Sequence, residues 1–346
     1  MKWTALSGPL AACLCLICAA LALTPVCADD GGQALAEAAG RELIGTPAPR
    51  LVLKTIDGQS IDLGALYGKK AVYLKFWATW CAPCREQMPH FERSYEEAGP
   101  DLAVIAVDTG FSDTLEDVRK YREALHLQMP MVIDDGRLAA ALNLRVTPQH
   151  VVIGRDGRIR YVGHLADAAL DQALADARKA PASAVAGGAA PKDEPRYEVG
   201  DLLPKLPAQT LDGAPFPLRD AGDKRPTVLV FFSPWCETYL AASRPAAAAE
   251  CRAAREQVTA LAQDGQARWL GVAAGLWVTD KDVAAYRSGY HIAMPLTLDQ
   301  FGVLFRSFQV KHVPTLLLAD ADGRIVRRIE GVDAQLPAEL KALYQP

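Results

Sequence analysis

Short apolar runs punctuated by turn residues set the rhythm of this chain. Val72 to Trp77, apolar but for Lys75, and Leu102 to Val107 have the length of buried strands and are too short for core helices. Leu51-Val52-Leu53 and Ile61-Asp62-Leu63 flank Asp57-Gly58, a dipeptide that suits the tight turn of a β-hairpin. Leu115 to Leu125 reads as a helix, Pro130 to Ile133 leads into the next element, and Leu138 to Leu142 reads as a short helix. Val151 to Ile153 and Ile159 to Val162 make a hairpin around Asp156-Gly157, with a helix around Leu170 to Ala177 behind it. Strands that alternate with helices and end in an antiparallel hairpin predict an α/β fold, with a central mixed sheet flanked by helices.

The same order of signals then returns. Between the two copies lies PASAVAGGAAPKDEP, Pro181 to Pro195, rich in Ala, Pro and Gly and without large apolar residues, which reads as a linker. Asp212-Gly213 lies 155 residues after Asp57-Gly58, and Trp235-Cys236 lies 155 after Trp80-Cys81. Val313-Pro314 and Asp322-Gly323 lie 166 after Thr147-Pro148 and Asp156-Gly157. The offset grows by eleven, and SRPAAAAECRAAREQ, Ser243 to Gln257, is the place for the insertion. The chain therefore predicts a polar lead-in over 29–44, a first domain over 45–179, a linker over 180–197 and a second domain over 198–346.

A length of 346 residues suits two domains. A net charge of −4 without a basic cluster excludes nucleic acid as a partner, because phosphate binding needs a clustered positive surface. Residues 1–28 read as a secretory signal peptide: Lys2, the apolar run Ala11 to Leu23, then Val26-Cys27-Ala28 ahead of Asp29-Asp30. An uncleaved anchor is the alternative, but the run is shorter than the ~20 residues a span needs. No stable membrane span is expected after cleavage, and the mature chain is expected in the periplasm or otherwise exported. Cleavage removes Cys13, Cys15, Cys18 and Cys27 and leaves Cys81, Cys84, Cys236 and Cys251. In an oxidising compartment an even count of four invites pairing two by two.

The chemistry concentrates in VYLKFWATWCAPCREQMP, Val72 to Pro89. Cys81 and Cys84 sit where a buried strand gives way to a helix, and the unpaired N–H groups and positive dipole end there stabilise a thiolate. Cys81 is expected to be the more exposed sulfur and the nucleophile, and Cys84, one turn on, the resolving thiol. Pro83 fixes the intervening turn, Trp77 and Trp80 cover the site, and a bend is expected near Pro89. Half a zinc site is the competing reading of such a pair, but two further ligands are missing and the six histidines form no cluster. No metal and no cofactor is expected. Pro148 precedes a strand, an Asp-Gly turn and another strand and is expected to be cis, as in a thioredoxin-type fold, where the residue before it, here Thr147, pairs its backbone with a bound peptide beside the attacking sulfur.

These residues carry a resemblance. FWATWCAPCREQMP, the Asp57-Gly58 hairpin before it, and Val146-Thr147-Pro148 with Asp156-Gly157 after it are similar to the TlpA/ResA family of periplasmic thioredoxin-like oxidoreductases. The resemblance covers residues 45 to 177 and implies a thioredoxin fold, with Cys81 as nucleophile, Cys84 as resolving cysteine and Pro148 as cis-proline. It also implies protein thiols and disulfides as partners, cytochrome c precursors and copper-site cysteines among them, and a membrane thiol donor that reloads the pair. Two positions depart from thioredoxin. Lys75 stands six residues before Cys81, where thioredoxin has a buried acid; it either stabilises thiolate and makes the pair more oxidising, or snorkels away. Gln149-His150 follows the proline, and His150 either tunes specificity or, as favoured here, faces solvent.

The second copy keeps Trp235-Cys236 and Val313-Pro314-Thr315 but has Tyr239 at the resolving position. Cys236 either acts alone, pairs with Cys251, or belongs to a redox-silent binding module. In one straight helix the two cysteines would stand about 22 Å apart, beyond disulfide reach. Arg244-Pro245 can break that helix, so a Cys236–Cys251 disulfide is the favoured reading. The whole chain thus reads as two tandem thioredoxin-like domains forming an exported thiol–disulfide oxidoreductase, working as a reductase. The alternative is a scaffold whose degenerate second domain binds a client. A peroxidase would need a Pro-x-x-x-Thr-x-x-Cys loop, which neither Cys81 nor Cys236 has.

Overall fold

The computed structural model describes residues 30–182, 188 and 194–344. The expected signal peptide and most of the expected linker lie outside them. Two five-stranded mixed sheets, each flanked by helices, occupy the two halves of the chain.

In the first half, α1 (Asp30–Gly40) precedes the hairpin β1 (Val52–Lys54) and β2 (Ser60–Asp62), and Asp62 caps α2 (Leu63–Leu66). The sheet comprises β3 (Ala71–Trp77), β4 (Leu102–Asp108), β5 (Met131–Ile133), β6 (Gln149–Ile153) and β7 (Ile159–Gly163), in the order β5-β4-β3-β6-β7. The first three run parallel, and β6 and β7 return antiparallel. Helices α3 (Ala82–Glu86), α4 (Met88–Glu96), α5 (Leu115–Ala124), α6 (Arg137–Ala141) and α7 (Ala168–Lys179) fill the connections. Central β3 is buried at every residue, so its two faces feed two cores, Tyr73 and Trp77 in one, Val72, Leu74 and Phe76 in the other. Thr114 and Asp117 close a capping box that starts α5.

The second half repeats this plan. A hairpin, β8 (Pro207–Gln209) and β9 (Pro215–Pro217), leads to β10 (Thr227–Phe232), β11 (Arg268–Ala274), β12 (Leu296–Asp299), β13 (Thr315–Ala319) and β14 (Ile325–Glu330). The order is β12-β11-β10-β13-β14, the same as in the first sheet, with the same parallel and antiparallel pairings. Helices α8 (Cys236–Tyr239), α9 (Pro245–Leu261), α10 (Asp280–Gly289), α11 (Val303–Ser307) and α12 (Leu336–Tyr344) connect them. Details recur as well: a second capping box, Thr279 with Asp282, starts α10, and left-handed glycines, Gly136 and Gly302, start α6 and α11.

One expectation needs correcting. The stretch 29–44 is not a bare lead-in: from Asp30 it is helix α1, packed along β7. Ala36 and Ala39 are buried, and a Cβ on Gly40 would stand 2.7 Å from Val162 Cβ. Small residues let this helix lie close to the strand without large apolar side chains, and large side chains were the only signal the pattern could offer.

Candidate active site

Strand β3 ends at Trp77 and delivers Cys81 to the position just before α3. Cys81 Sγ accepts the Cys84 N–H at 3.2 Å, so the sulfur acts as the helix cap, while Pro83 in the first turn has no N–H to satisfy. Cys81 and Cys84 are joined, S–S 2.03 Å with Cα atoms 5.2 Å apart. The helix breaks at Gln87 ahead of Pro89. The Thr147–Pro148 peptide is cis, as is Val313–Pro314 in the second half, and both prolines open the strand that pairs antiparallel with the central one.

Lys75 does not snorkel. Its side chain is wholly buried beneath the cysteine helix, with Nζ donating to the Cys84 carbonyl at 3.4 Å and lying 5.5 Å from the centre of the Phe91 ring. Burial pulls its pKa down to about 7. His150, favoured above as solvent-facing, is also fully buried. Its Nδ1 meets the Tyr73 hydroxyl at 2.9 Å and its Nε2 meets Gln87 Oε1 at 2.8 Å. Burial, and then the charge of Lys75, hold its pKa well below the ordinary value, so it is neutral. The reason is register: β6 lies inside the sheet beside β3 and sets His150 next to Lys75, on the face that Cys84, Gln87 and Phe91 cover. His164 Nδ1 lies 2.6 Å from the Pro148 carbonyl, which ties the end of β7 to the proline loop.

The second half covers this site. Trp80 and Trp235, each preceding a cysteine, lie with ring centroids 5.1 Å apart. The Ala82 N–H, next to Cys81, donates to the Tyr239 hydroxyl at 3.1 Å. Trp277 N donates to the Arg145 carbonyl at 2.8 Å, and its indole N–H reaches Thr147 Oγ1 at 3.3 Å. The reciprocal contact exists too: Ser112 N donates to the Lys311 carbonyl at 2.8 Å. Ser112 and Trp277 are 165 residues apart, Arg145 and Lys311 166, so the halves meet about an approximate two-fold axis. Both donors adopt left-handed backbone, φ 59° and 60°. Trp80 and Trp235 are themselves tied back alike, to the carbonyls of Phe111 and Leu276. As a result Cys81, expected to be the more exposed sulfur of the pair, is only 2% accessible, against 0% for Cys84.

Arg244 is the electrostatic fastener. It donates to the Ser112 carbonyl and Thr79 Oγ1 at 2.6 Å each and to Asp113 Oδ1 at 2.7 Å. The Asp113 side chain is fully buried and also accepts the Thr79 N–H, so it holds the loop before Trp80. Its neighbour Asp108 is buried beside it, and burial together with that second carboxylate raises its pKa well above the ordinary range. Removing the guanidinium in Arg244→Ala should cost about 1.5–3 kcal/mol of docking. Alkylation of reduced Cys81 in the intact chain is then expected to quicken about tenfold to a hundredfold. An unchanged rate would mean that Cys81 is reached without undocking.

In the second half the sulfurs of Cys236 and Cys251 are joined, S–S 1.93 Å with Cα atoms 6.3 Å apart. The chain breaks at Arg244 and α9 doubles back over α8, as the Arg244-Pro245 break requires. Glu237 and Arg255 bond at 2.7 and 3.0 Å and pin the two helices together. Cys251 Sγ lies 3.7 Å from the Val313 carbonyl, just before Pro314. Among the described residues no cluster of potential metal ligands occurs.

Along the sequence Tyr239 shows only as a lost cysteine and Arg244 only as a helix breaker. Asp113, Trp277 and His164 gave no signal, because each acts across a contact between distant segments. The one available clue was the doubled Trp-Cys, since those two tryptophans meet.

A family profile described as the AhpC/TSA family matches residues 44–162. The thioredoxin-like protein YneN of Bacillus subtilis is 35% identical over 133 residues, 38% of this chain and 78% of that protein. The thiol-disulfide oxidoreductase ResA of the same organism is 31% identical over 125 residues, 35% of this chain and 68% of that protein. A solved structure of StoA from Bacillus subtilis shares 25% identity, with a TM-score of 0.33, over 37% of this chain and 98% of that one. All these matches leave most of the chain uncovered. Through its similarity to YneN and ResA, this chain belongs to the family of thioredoxin-like thiol–disulfide oxidoreductases.

Proposed function

We propose that the Cys81–Cys84 pair reduces disulfides in protein partners outside the cytoplasm, and that an upstream thiol donor reloads it. The observation that carries this reading is the Cys81–Cys84 disulfide at a strand-to-helix junction, with Cys81 Sγ accepting a helix N–H. That geometry favours thiolate at Cys81. In the cycle the Cys81 thiolate attacks one sulfur of a client disulfide, and the other client sulfur leaves as thiolate and takes a proton. Cys84 then loses its proton and attacks Cys81 Sγ. The bond from Cys81 to the client breaks, the second client thiol is released, and the Cys81–Cys84 disulfide closes. Two electrons pass to the client, and a donor dithiol returns them.

Lys75 is placed to serve the second half of this cycle. With its pKa near 7, ammonium and free amine coexist at neutral pH. The amine can take the Cys84 thiol proton, and the ammonium then stabilises the thiolate that attacks. The buried acid of thioredoxin would do this as carboxylate; here a neutral base does it.

The signal-peptide pattern over residues 1–28 supports export, and among the described residues no helix is long and apolar enough to cross a membrane. The second half reads as a degenerate thioredoxin-like domain, with the same strand order but Tyr239 in place of a resolving cysteine. The burial of Cys81 under that half favours a second reading, a client-binding scaffold with little turnover. Trapping thiols in intact cells by acid quench and alkylation separates them. A Cys81–Cys84 pair held mostly reduced is the expected result. A mostly oxidised pair would point to an oxidase or to an idle scaffold.

A further inference from the structure

We infer that the second domain is the first domain's resident redox partner, and that the Cys81–Cys84 dithiol reduces the Cys236–Cys251 disulfide across the interface between them. This rests on the oxidoreductase reading above and names one substrate of that site.

The second domain sits where a protein substrate must sit. Its Trp277 pairs by backbone with Arg145 and by indole with Thr147, along the strip leading to Pro148. Its Tyr239 hydroxyl takes the N–H beside Cys81. The near two-fold arrangement sets the loops that carry Trp277 and Ser112 against the other domain's proline loop, and Trp80 against Trp235 brings the residues just before Cys81 and Cys236 together.

The second disulfide also lies at the reactive corner of its own domain. It joins the start of α8 to α9 and touches the carbonyl before Pro314. That bond is not the only tie on α9. Glu237 with Arg255, and Arg244 with Asp113, already anchor the inserted helix by charge-assisted hydrogen bonds. A cross-link that shares its structural role with other ties, in a cysteine loop docked against the dithiol's own loop, is free to take part in exchange. Cys236 and Cys81 are 1% and 2% accessible, so both sulfurs of the proposed exchange are shielded from bulk thiols, which favours transfer within the chain.

The exchange balances without a new reagent. Once the Tyr239 hydroxyl leaves the Ala82 N–H, the Cys81 thiolate attacks Cys236 Sγ. The Cys236–Cys251 bond breaks, and Cys251 leaves as thiolate and is protonated. Cys84 thiolate then attacks Cys81 Sγ, which releases Cys236 as thiolate to be protonated in turn. The Cys81–Cys84 pair ends oxidised and the Cys236–Cys251 pair reduced, two electrons and two protons having moved. The electrons enter from the dithiol that loads Cys81–Cys84.

The test uses the full chain and dithiothreitol as electron source. Reduction of the Cys236–Cys251 bond, followed by quenched alkylation and peptide mass spectrometry, is expected to be at least tenfold slower in Cys81→Ser than in the wild type. In Cys84→Ser, a Cys81–Cys236 cross-link with Cys251 alkylated is expected, at a yield unchanged on dilution. Equal reduction rates, with the Cys236–Cys251 bond intact and Cys81 free in Cys84→Ser, would overturn the relay. Insulin reduction by the wild type tells which claim has failed. Turnover with a silent second disulfide sinks only the relay, and no turnover at all sinks the oxidoreductase reading with it.

Discussion

Replacing Cys81 with serine is expected to bring insulin reduction down to the uncatalysed background, a loss of at least about a thousandfold, the order that removing a covalent nucleophile costs. A serine hydroxyl is not ionised near neutral pH and forms no disulfide, so no part of the cycle survives. Cys84→Ser should behave differently. Attack by Cys81 remains, but without resolution each molecule turns over at most once, and Cys81 stays in a mixed disulfide with client or with Cys236. Client trapped in Cys81→Ser and none in Cys84→Ser would mean that Cys84, not Cys81, makes the first attack. Access complicates only the absolute rate. Cys81 is covered by Trp235 and Tyr239, so wild-type turnover includes an undocking step that Arg244→Ala should shorten. The two serine variants differ from the wild type in chemistry and share its docking, which is why their ratio reports the nucleophile.

How much of this was legible in the chain depends on the range of the interaction. Strands, the break at Pro89, the break at Arg244 and the repeat itself are written in local period and spacing, and the sheets follow them closely. The Cys-x-x-Cys at a strand end is equally local. What the sequence hid is non-local. Helix α1 gives little apolar signal, mostly alanine and glycine among polar residues, because its contact with β7 depends on smallness. His150 looked like a rim residue since a polar side chain in a strand ordinarily faces water; here its strand is interior, and Tyr73 and Gln87 satisfy both ring nitrogens. The face-to-face docking depends on Trp277, Tyr239 and Arg244 meeting residues more than a hundred positions away, and no window along the chain contains both sides.

Lys75→Met is expected to stabilise the oxidised protein, and the gain is expected to fade with rising pH. The sign follows from linkage. In the unfolded chain Lys75 titrates at its ordinary 10.5, and in the fold burial brings it to about 7. Between those values the unfolded state holds a proton that the native state lacks, so native stability rises with pH through the window. Below about pH 7 the ammonium is kept in a wholly buried site and the full penalty applies. The interval from 10.5 to about 7, at roughly 1.4 kcal/mol per unit, puts that penalty near 5 kcal/mol. Methionine fills similar space without a charge, at a packing cost of about 1 kcal/mol. Urea unfolding should therefore show the variant about 3–5 kcal/mol more stable at pH 6, with the gap shrinking by about 1.4 kcal/mol per unit between pH 7.5 and 9.5. The same lysine supplies the base for Cys84, so the variant should also resolve mixed disulfides more slowly near neutrality, and more alkaline buffer should restore the rate as the thiol ionises unaided. A residue that costs stability and serves resolution is what a buried proton acceptor requires. A pH-independent gap would show that the native ammonium keeps its proton to alkaline pH, and it would remove Lys75 from the proton path.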